Sequence, residues 1–236
     1  MNTSKTNHQE SERDITIWAG VFYILATAAP IFTYPFIGFL ISGVARELPS
    51  NFLVQIAANQ KQIIIGVLIE LTYALAVVGI IATLHPILKK YRPVLSLGFF
   101  SLRFLEAIGM MIHSLILLCM LTLSQEYAAT NMLEASYFLT AGNLLLAARE
   151  WIFLIGSGIV WSLSALILNA LLYQHQLLPR WISGWGLIGA GLSLAAYSLQ
   201  FFNIHLPEVV YLPIGVQEMV FAGWLIIKGF NTQAQQ

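Results

Sequence analysis

Charged residues are scarce in this chain. Only 9% of its 236 residues are Asp, Glu, Lys or Arg, whereas about a quarter of a soluble globular domain is charged. The formal net charge is zero, which argues against nucleic acid as a partner. The single cysteine, Cys119, cannot form an intrachain disulfide or a cysteine-based metal site. The composition therefore argues against soluble, nucleic-acid-binding and disulfide-stabilised proteins.

Several sequence motifs of soluble enzymes are also missing. The chain has no P-loop, no G-x-S-x-G and no H-E-x-x-H pattern, so neither phosphate binding nor the commonest hydrolytic mechanisms are indicated. Its five histidines are scattered over several loops and apolar runs, which argues against a metal site or a haem held by two histidines. We expect no cofactor and no metal, and we assign no catalytic residue.

Long apolar runs make up most of the chain, which is 58% hydrophobic with a mean hydropathy of +0.77. A hydrocarbon core about 30 Å thick takes roughly 20 helical residues to cross. The predicted fold class is therefore all-α: a polytopic integral membrane protein with a bundle of six transmembrane helices. Pro30 and Pro35 predict a kink in the first helix. The six runs cover residues 15–41, 62–88, 95–123, 151–173, 181–202 and 207–227.

The basic residues outside these runs are unevenly distributed between the two sides of the membrane. We divide the chain into a polar segment (1–14), the six-helix transmembrane domain (15–230) and a short tail (231–236). The side that carries both termini holds most of the basic residues, so the positive-inside rule predicts that both termini are cytoplasmic. That side has Lys5, Arg13, Lys89, Lys90, Arg92, Arg180 and Lys228, against Arg46, Lys61 and Arg149 on the other.

The segment between the third and fourth runs, residues 124–150, is long and not very polar. It is predicted to form either an interfacial helix or an outward extension of the fourth span. Arg149 and Glu150 stand at its end beside Trp151. Their position favours anchoring at the outer membrane interface over contact with a ligand.

Ionisable residues lie inside several of the runs. A charged side chain at the centre of a membrane helix costs about 2.5–3.5 kcal/mol on insertion scales, so such residues usually mark a polar interior or a working site. In the third span, Arg103, Glu106 and His113 share one helix face, and Arg103 can pair with Glu106 one turn away. Two interpretations stay open: an ion pair that stabilises the bundle, and a polar stripe that lines a cavity.

Two further acids complete the set of candidates. Glu70 is embedded in the second span, and Glu218 lies mid-way along the sixth, on the face that carries Tyr211. The three embedded acids, including Glu106, outnumber the one embedded arginine, Arg103. This charge balance suggests that one carboxyl is protonated or shares a proton with His113. Either a proton-linked site or a neutral Glu that donates a hydrogen bond would account for this. The candidate intramembrane polar site is Glu70, Arg103, Glu106, His113 and Glu218, with Arg149, Glu150 and Tyr211 as secondary candidates.

The run Leu178-Pro179-Arg180-Trp181-Ile182-Ser183-Gly184-Trp185-Gly186-Leu187-Ile188-Gly189 resembles a hallmark of a bacterial membrane family, domain of unknown function 4386. The segment from Glu218 to Phe230 is similar to the C-terminal end of that family's sequences. Leu68-Ile69-Glu70 and the pair Arg103 and Glu106 also resemble the family. The resemblance extends over nearly the whole chain and is most specific at the Pro-Arg-Trp turn. It implies a multi-pass protein of the bacterial inner membrane and does not indicate an activity.

Three classes of function remain. Binding or transport of a small solute or ion, or of a proton, through the embedded Glu/Arg/His cluster is favoured. An accessory, sensory or assembly subunit would instead pair these charges with a membrane-protein partner or a second copy. An intramembrane enzyme acting on a lipid-like substrate would use Glu106 or Glu218 as acid and base and His113 as proton shuttle. The missing enzyme motifs make the enzyme the least favoured of the three. The lipid bilayer is the expected surrounding in each case.

Overall fold

The described part of the computed structural model, residues 3–38, 51–129 and 135–231, is built from helices and contains no strand. This confirms the all-α prediction. A π-helical segment, Leu154–Val160, joins two of the helices, and a 3-10 turn, Glu208–Tyr211, precedes the last one. The α-helices are α1 (Thr3–Ile37), α2 (Phe52–Ala58), α3 (Gln60–Leu88), α4 (Pro93–Ala129), α5 (Ala135–Phe153), α6 (Trp161–Gln174), α7 (Arg180–Gln200) and α8 (Leu212–Ile227).

Six of the helical segments are long and apolar enough to cross a membrane, as predicted. Pro30 and Pro35 both lie inside α1. The predicted end of the first span, at residue 41, lies outside the described residues. The six spans are Arg13–Ile37, Gln60–Leu88, Pro93–Ala129, Ser136–Gln174, Arg180–Gln200 and Glu208–Ile227.

The fourth span is longer than its sequence indicated. Helix α5 begins at Ala135 and continues through the π-helical segment into α6. The resulting run of 39 residues, Ser136–Gln174, is about 58 Å long at 1.5 Å per residue, almost twice the thickness of a hydrocarbon core. Of the two predictions for residues 124–150, the structure therefore has the outward extension of the fourth span over residues 135–150, while residues 124–129 belong to α4 and 130–134 lie outside the described residues.

The spans are arranged as a ring in which each packs mainly against its two neighbours. The order around the ring is α1, α3, α4, the α5–α6 span, α7 and α8, and α8 packs back against α1. We call the end of the bundle where α1 begins and α8 finishes the proximal end, and the opposite one the distal end. The short helix α2 packs on α4 at the distal end. Side chains that point inward from all six spans consequently meet on one axis.

Apolar packing differs between the two ends. The proximal half holds a continuous core to which every span contributes, with Leu88 of α3, Leu172 of α6 and Leu225 of α8 among its buried residues. The distal core joins α1, α2, α3, α4 and α5, and its buried residues include none from α7 or α8. The proximal end is thus closed by hydrophobic contacts from all sides, while the distal ends of α7 and α8 stand outside the main core.

Hydrogen bonds between distant parts of the chain also close the proximal end. The guanidinium of Arg13 donates to the carbonyls of Leu225 (3.3 Å) and Ile227 (3.2 Å) at the end of α8, where the last carbonyls of a helix run short of backbone partners. The amide of Asn231 donates to the Leu177 carbonyl at 2.9 Å. These bonds fix the beginning of α1 and the chain after α8 against the rest of the bundle.

Helix α7 begins at the turn that carried the family resemblance. Pro179 precedes Arg180 with extended backbone angles (φ −52°, ψ 130°) and serves as the N-cap, in line with the tendency of proline to stand at helix starts. Residues 184–189 happen to read G-x-G-x-x-G. They lie inside α7, and in the described residues no strand precedes them. They are therefore not the dinucleotide-binding turn of a βαβ unit.

Candidate functional site

The five predicted site residues form two groups instead of one. The first, which we call the central cluster, contains Arg103, Glu106 and Glu218. The second, the distal cluster, contains Glu70 and His113 together with the secondary candidate Arg149. The prediction of a single Glu/Arg/His cluster is thus corrected. The reason is that His113 lies two turns from Glu106 along α4 and meets α3 at the depth of Glu70.

The central cluster is built on the ion pair that the spacing in α4 predicts. The Nη1 atom of Arg103 lies 3.1 Å from Oε2 of Glu106 and 3.2 Å from its Oε1. Neighbouring helices supply two phenols: Tyr73 donates to Glu106 at 2.5 Å, and Nη2 of Arg103 donates to the Tyr23 hydroxyl at 3.2 Å. Arg103 is 2% exposed and Glu106 is fully buried. Charged groups that are buried and hydrogen-bonded on several sides are held in a single geometry.

Glu218 joins this pair from the opposite side of the ring. Its Oε1 atom lies 3.9 Å from Nη2 of Arg103, and its Oε2 accepts a hydrogen bond from Thr27 of α1 at 2.9 Å. The indole of Trp161, at the start of α6, lies close to the same carboxyl group. The Glu218 side chain is 12% exposed, so it is the most accessible of the three charged groups.

The charges of the central cluster do not balance. Glu106 and Glu218 face the single guanidinium of Arg103, so the cluster carries one excess negative charge when both acids are ionised. An uncompensated charge in a low-dielectric interior is costly. One proton on a carboxyl, or one bound cation, would neutralise the site.

The distal cluster ties three helices together. Arg149 of α5 forms an ion pair with Glu70 of α3 and also donates to the His113 carbonyl of α4 at 2.7 Å. Ser114 donates to Oε2 of Glu70 at 2.9 Å, and Nδ1 of His113 stands 3.5 Å from that same oxygen. With Arg149 and Glu70 both present, this cluster contains its own neutralising pair.

The expected role of Arg149 as an interface anchor is wrong. Its side chain is buried, at 3% exposure, because it points into the bundle, where it contacts Glu70 of α3 and the His113 carbonyl of α4. This adds a second embedded arginine to the one that the sequence indicated. The apolar run Leu144 to Leu146 just before it was the available signal that the span begins earlier. Glu150 is half-buried and takes no part in the ion pair of this cluster.

Tyr211 lies at the distal side of Glu218, on the same face of the last span. Its ring stacks on Tyr197 of α7 with the centroids 4.7 Å apart, and its hydroxyl accepts a hydrogen bond from Gln200 at 2.9 Å. The Tyr197 ring in turn fills the space beside Gly158, where a Cβ atom would come within 2.9 Å of it. The two tyrosines therefore join α7 and α8 just outside the central cluster.

The π-helical segment positions one wall of this region. Gly156 and Gly109 of α4 approach so closely that a Cβ on either would be 3.4 Å from the other's Cα. Ser157, between Gly156 and Gly158, is buried, and its hydroxyl has no hydrogen-bond partner among the described residues. π-Helical turns occur often at functional sites, and buried polar atoms without partners are rare enough to need an explanation.

Sequence reasoning missed the uncharged members of the central cluster. Hydroxyl and indole groups are common in membrane helices, so nothing in the sequence distinguished these from the others. Their depth in the spans, close to that of Glu106 and Glu218, was the one available signal. They are Tyr23, Thr27, Tyr73 and Trp161.

The candidate metal ligands of the described residues are dispersed, and no three His, Cys, Asp or Glu side chains among them are grouped as a metal site would require.

Comparison with known proteins agrees with the resemblance seen in the sequence. The model of the family described as Domain of unknown function (DUF4386) matches residues 18–229. The chain belongs to this family. A search of curated proteins gave no match, and neither did a search of solved structures. The DUF4386 match extends over all six spans and both clusters.

Proposed function

We propose that this protein binds a small solute or ion inside the membrane at the central cluster, as a carrier or a solute sensor. Glu218 is proposed as the group that exchanges a proton or cation. The observation that carries the proposal is the excess acid of the cluster, combined with the partial exposure of Glu218 beside a fully buried Arg103–Glu106 pair. Embedded ionisable groups that face a bundle interior typically serve solute or ion pathways.

The arrangement of the charges is less favourable to the other two functions. An accessory subunit that used its embedded charges to hold a partner would present them on its lipid-facing side. Here Arg103, Glu106, Glu70 and Arg149 are all buried within the ring and paired with one another. An enzyme that used His113 as a proton shuttle for Glu106 or Glu218 would need it beside them, whereas it stands in the distal cluster.

Cysteine accessibility tests the proposal. In a Cys119→Ala background, Glu218→Cys in the folded protein should react with a water-soluble thiol reagent, because Glu218 is the least buried charged group of the cluster, at 12% exposure. Ala222→Cys, one turn further along the same face of α8 and fully buried, is the matched control and should stay protected. Protection of both cysteines, or equal labelling of both, would contradict a solvent-reachable Glu218.

We also propose that both termini are cytoplasmic and that the membrane is the bacterial inner membrane. The support is the charge asymmetry of the loops, which increases once Arg149 is counted as buried rather than as a distal charge. A reporter enzyme fused after Gln236 should therefore have the activity of a cytoplasmic fusion. Periplasmic activity of the same fusion would overturn the orientation.

A further inference from the structure

The surroundings of Glu218 are unusually aromatic for a carboxylate. The indole of Trp161 lies close to it, and Tyr197 lies within electrostatic range of it. Tyr211 stacks on Tyr197, which extends the aromatic wall toward the distal end. The faces of such rings carry negative partial charge and attract cations, above all ammonium groups whose water has been removed.

The net charge of the cluster also favours a cationic ligand. Arg103 pairs closely with Glu106, at 3.1 Å, but lies 3.9 Å from the second carboxylate, Glu218, which therefore has the weaker counter-charge. A hard metal cation prefers six or more oxygen ligands, and no group of three His, Cys, Asp or Glu suited to a metal exists in the described residues. A single carboxylate flanked by aromatic rings suits an organic ammonium better.

A hydrogen-bond acceptor for such a ligand is available on the helical segment that precedes Trp161. The Ser157 hydroxyl is 8% exposed and has no partner among the described residues. It precedes Trp161 by one helical turn. An ammonium between Glu218 and the π-helical segment could donate one N–H to the carboxylate and another to this hydroxyl.

The packing of α8 indicates the direction of approach. A Cβ atom at Gly215, one turn distal to Glu218, would meet no other heavy atom within 4 Å, whereas one at Gly189 of α7 would come within 3.0 Å of Ile214. Ile214 of α8 packs with one buried residue each of α6 and α7 in a small separate cluster, but the distal core holds no buried residue from α7 or α8, whereas the proximal core holds residues from every span. The open side of Glu218 therefore faces the distal end, beside Gly215.

We propose that the central cluster binds a small primary alkylammonium ion, which reaches Glu218 from the distal end along α8. The charged nitrogen lies between the Glu218 carboxylate and the Ser157 hydroxyl, and the rings of Trp161 and Tyr197 cover it. This inference rests on the proposed function, because it names the ligand class of the same site.

Thermal melting of the purified protein in detergent, at rising concentrations of ethylammonium chloride, tests the ligand class. Sodium chloride at equal ionic strength is the reference. Wild-type protein should melt at progressively higher temperature with ethylammonium and not with sodium, since a ligand that binds only the folded state stabilises it. The shift should be absent in Glu218→Gln and retained in Glu208→Gln, an exposed acid at the start of the same span.

Two pairs of variants test the aromatic wall and the route. Tyr197→Leu should weaken the apparent affinity for ethylammonium about tenfold, within the range of a desolvated cation–π contact, and Tyr197→Phe should keep it. Gly215→Leu should slow or abolish the response by filling the open side of Glu218. Gly223→Leu, at a position that is equally open but on another face of α8, should leave it unchanged.

The possible outcomes separate this inference from the proposed function. No ethylammonium shift beyond the sodium reference, or an equal shift in Glu218→Gln, overturns the ammonium proposal. If the cysteine at position 218 is still labelled in that case, the proposed function stands and only its ligand class is wrong. An unchanged response in Gly215→Leu overturns the route alone. Protection of the cysteine at 218 together with no ethylammonium shift overturns both proposals.

Discussion

Replacement of Arg103 by Ala is expected to lower the free energy of unfolding by about 3–5 kcal/mol, the usual cost of removing one partner from a buried ion pair. The guanidinium is 2% exposed and is 3.1 Å from Glu106. Its loss leaves Glu106 fully buried with only the Tyr73 hydroxyl as a donor, and it also removes the nearest positive charge from Glu218. Thermal or denaturant unfolding in detergent measures the change.

Two variants show whether this loss comes from the broken pair. The double variant Arg103→Gln with Glu106→Gln should be milder than Arg103→Ala, because neutral amides leave no uncompensated charge. Arg92 is an exposed arginine directly before α4. As a control, Arg92→Ala should change the free energy of unfolding by no more than about 0.5 kcal/mol. A harmless Arg103→Ala would mean that Arg103 and Glu106 do not act as a buried charged pair.

Replacement of Arg149 by Ala should be about as damaging, again about 3–5 kcal/mol. The side chain pairs with Glu70 and donates to the His113 carbonyl at 2.7 Å, so its removal leaves the Glu70 carboxylate without its counter-charge and the carbonyl without this donor. It should also loosen α5 from α3 and α4. Unfolding in detergent, with Lys61→Ala as the exposed control at the same end, measures the loss.

The same experiment decides between the two accounts of Arg149. An interface anchor in water or among headgroups would cost less than about 1 kcal/mol to remove. Glu70→Gln combined with Arg149→Gln should recover much of the stability, since the charges are then removed together. If Arg149→Ala is as mild as Lys61→Ala, the side chain is not buried against Glu70, and the interpretation as an interface anchor is restored.

The two clusters are close enough to influence each other through shared helices. Glu70 and Tyr73 are one turn apart on α3, and each binds a different cluster. Changes at residues that share a helix surface often combine non-additively. The combined effect of Arg103→Ala and Arg149→Ala therefore measures whether the distal ion pair and the central site act as one unit.

Much of the fold could be predicted from the sequence because it follows from local rules. Runs of about 20 apolar residues must be helical to satisfy their backbone in lipid, which predicted the number of spans, though not the full length of the fourth, before any contact was known. The Arg103–Glu106 pair was equally local, because residues three apart on a helix are neighbours. The resemblance at Pro179-Arg180-Trp181 identified the family through a turn whose proline begins α7.

Only the tertiary structure decided which embedded charges meet. Arg149 and Glu70 are 79 residues apart in the chain, and Thr27 and Glu218 are 191 apart, so no periodicity could pair them. Helical spacing shows which face of a helix is polar, but not which helix lies opposite. The order of helices around the ring decides which charged side chains face each other. It placed Arg149 against Glu70, separated His113 from Glu218 and brought Glu218 beside the Arg103–Glu106 pair, where two acids share one guanidinium.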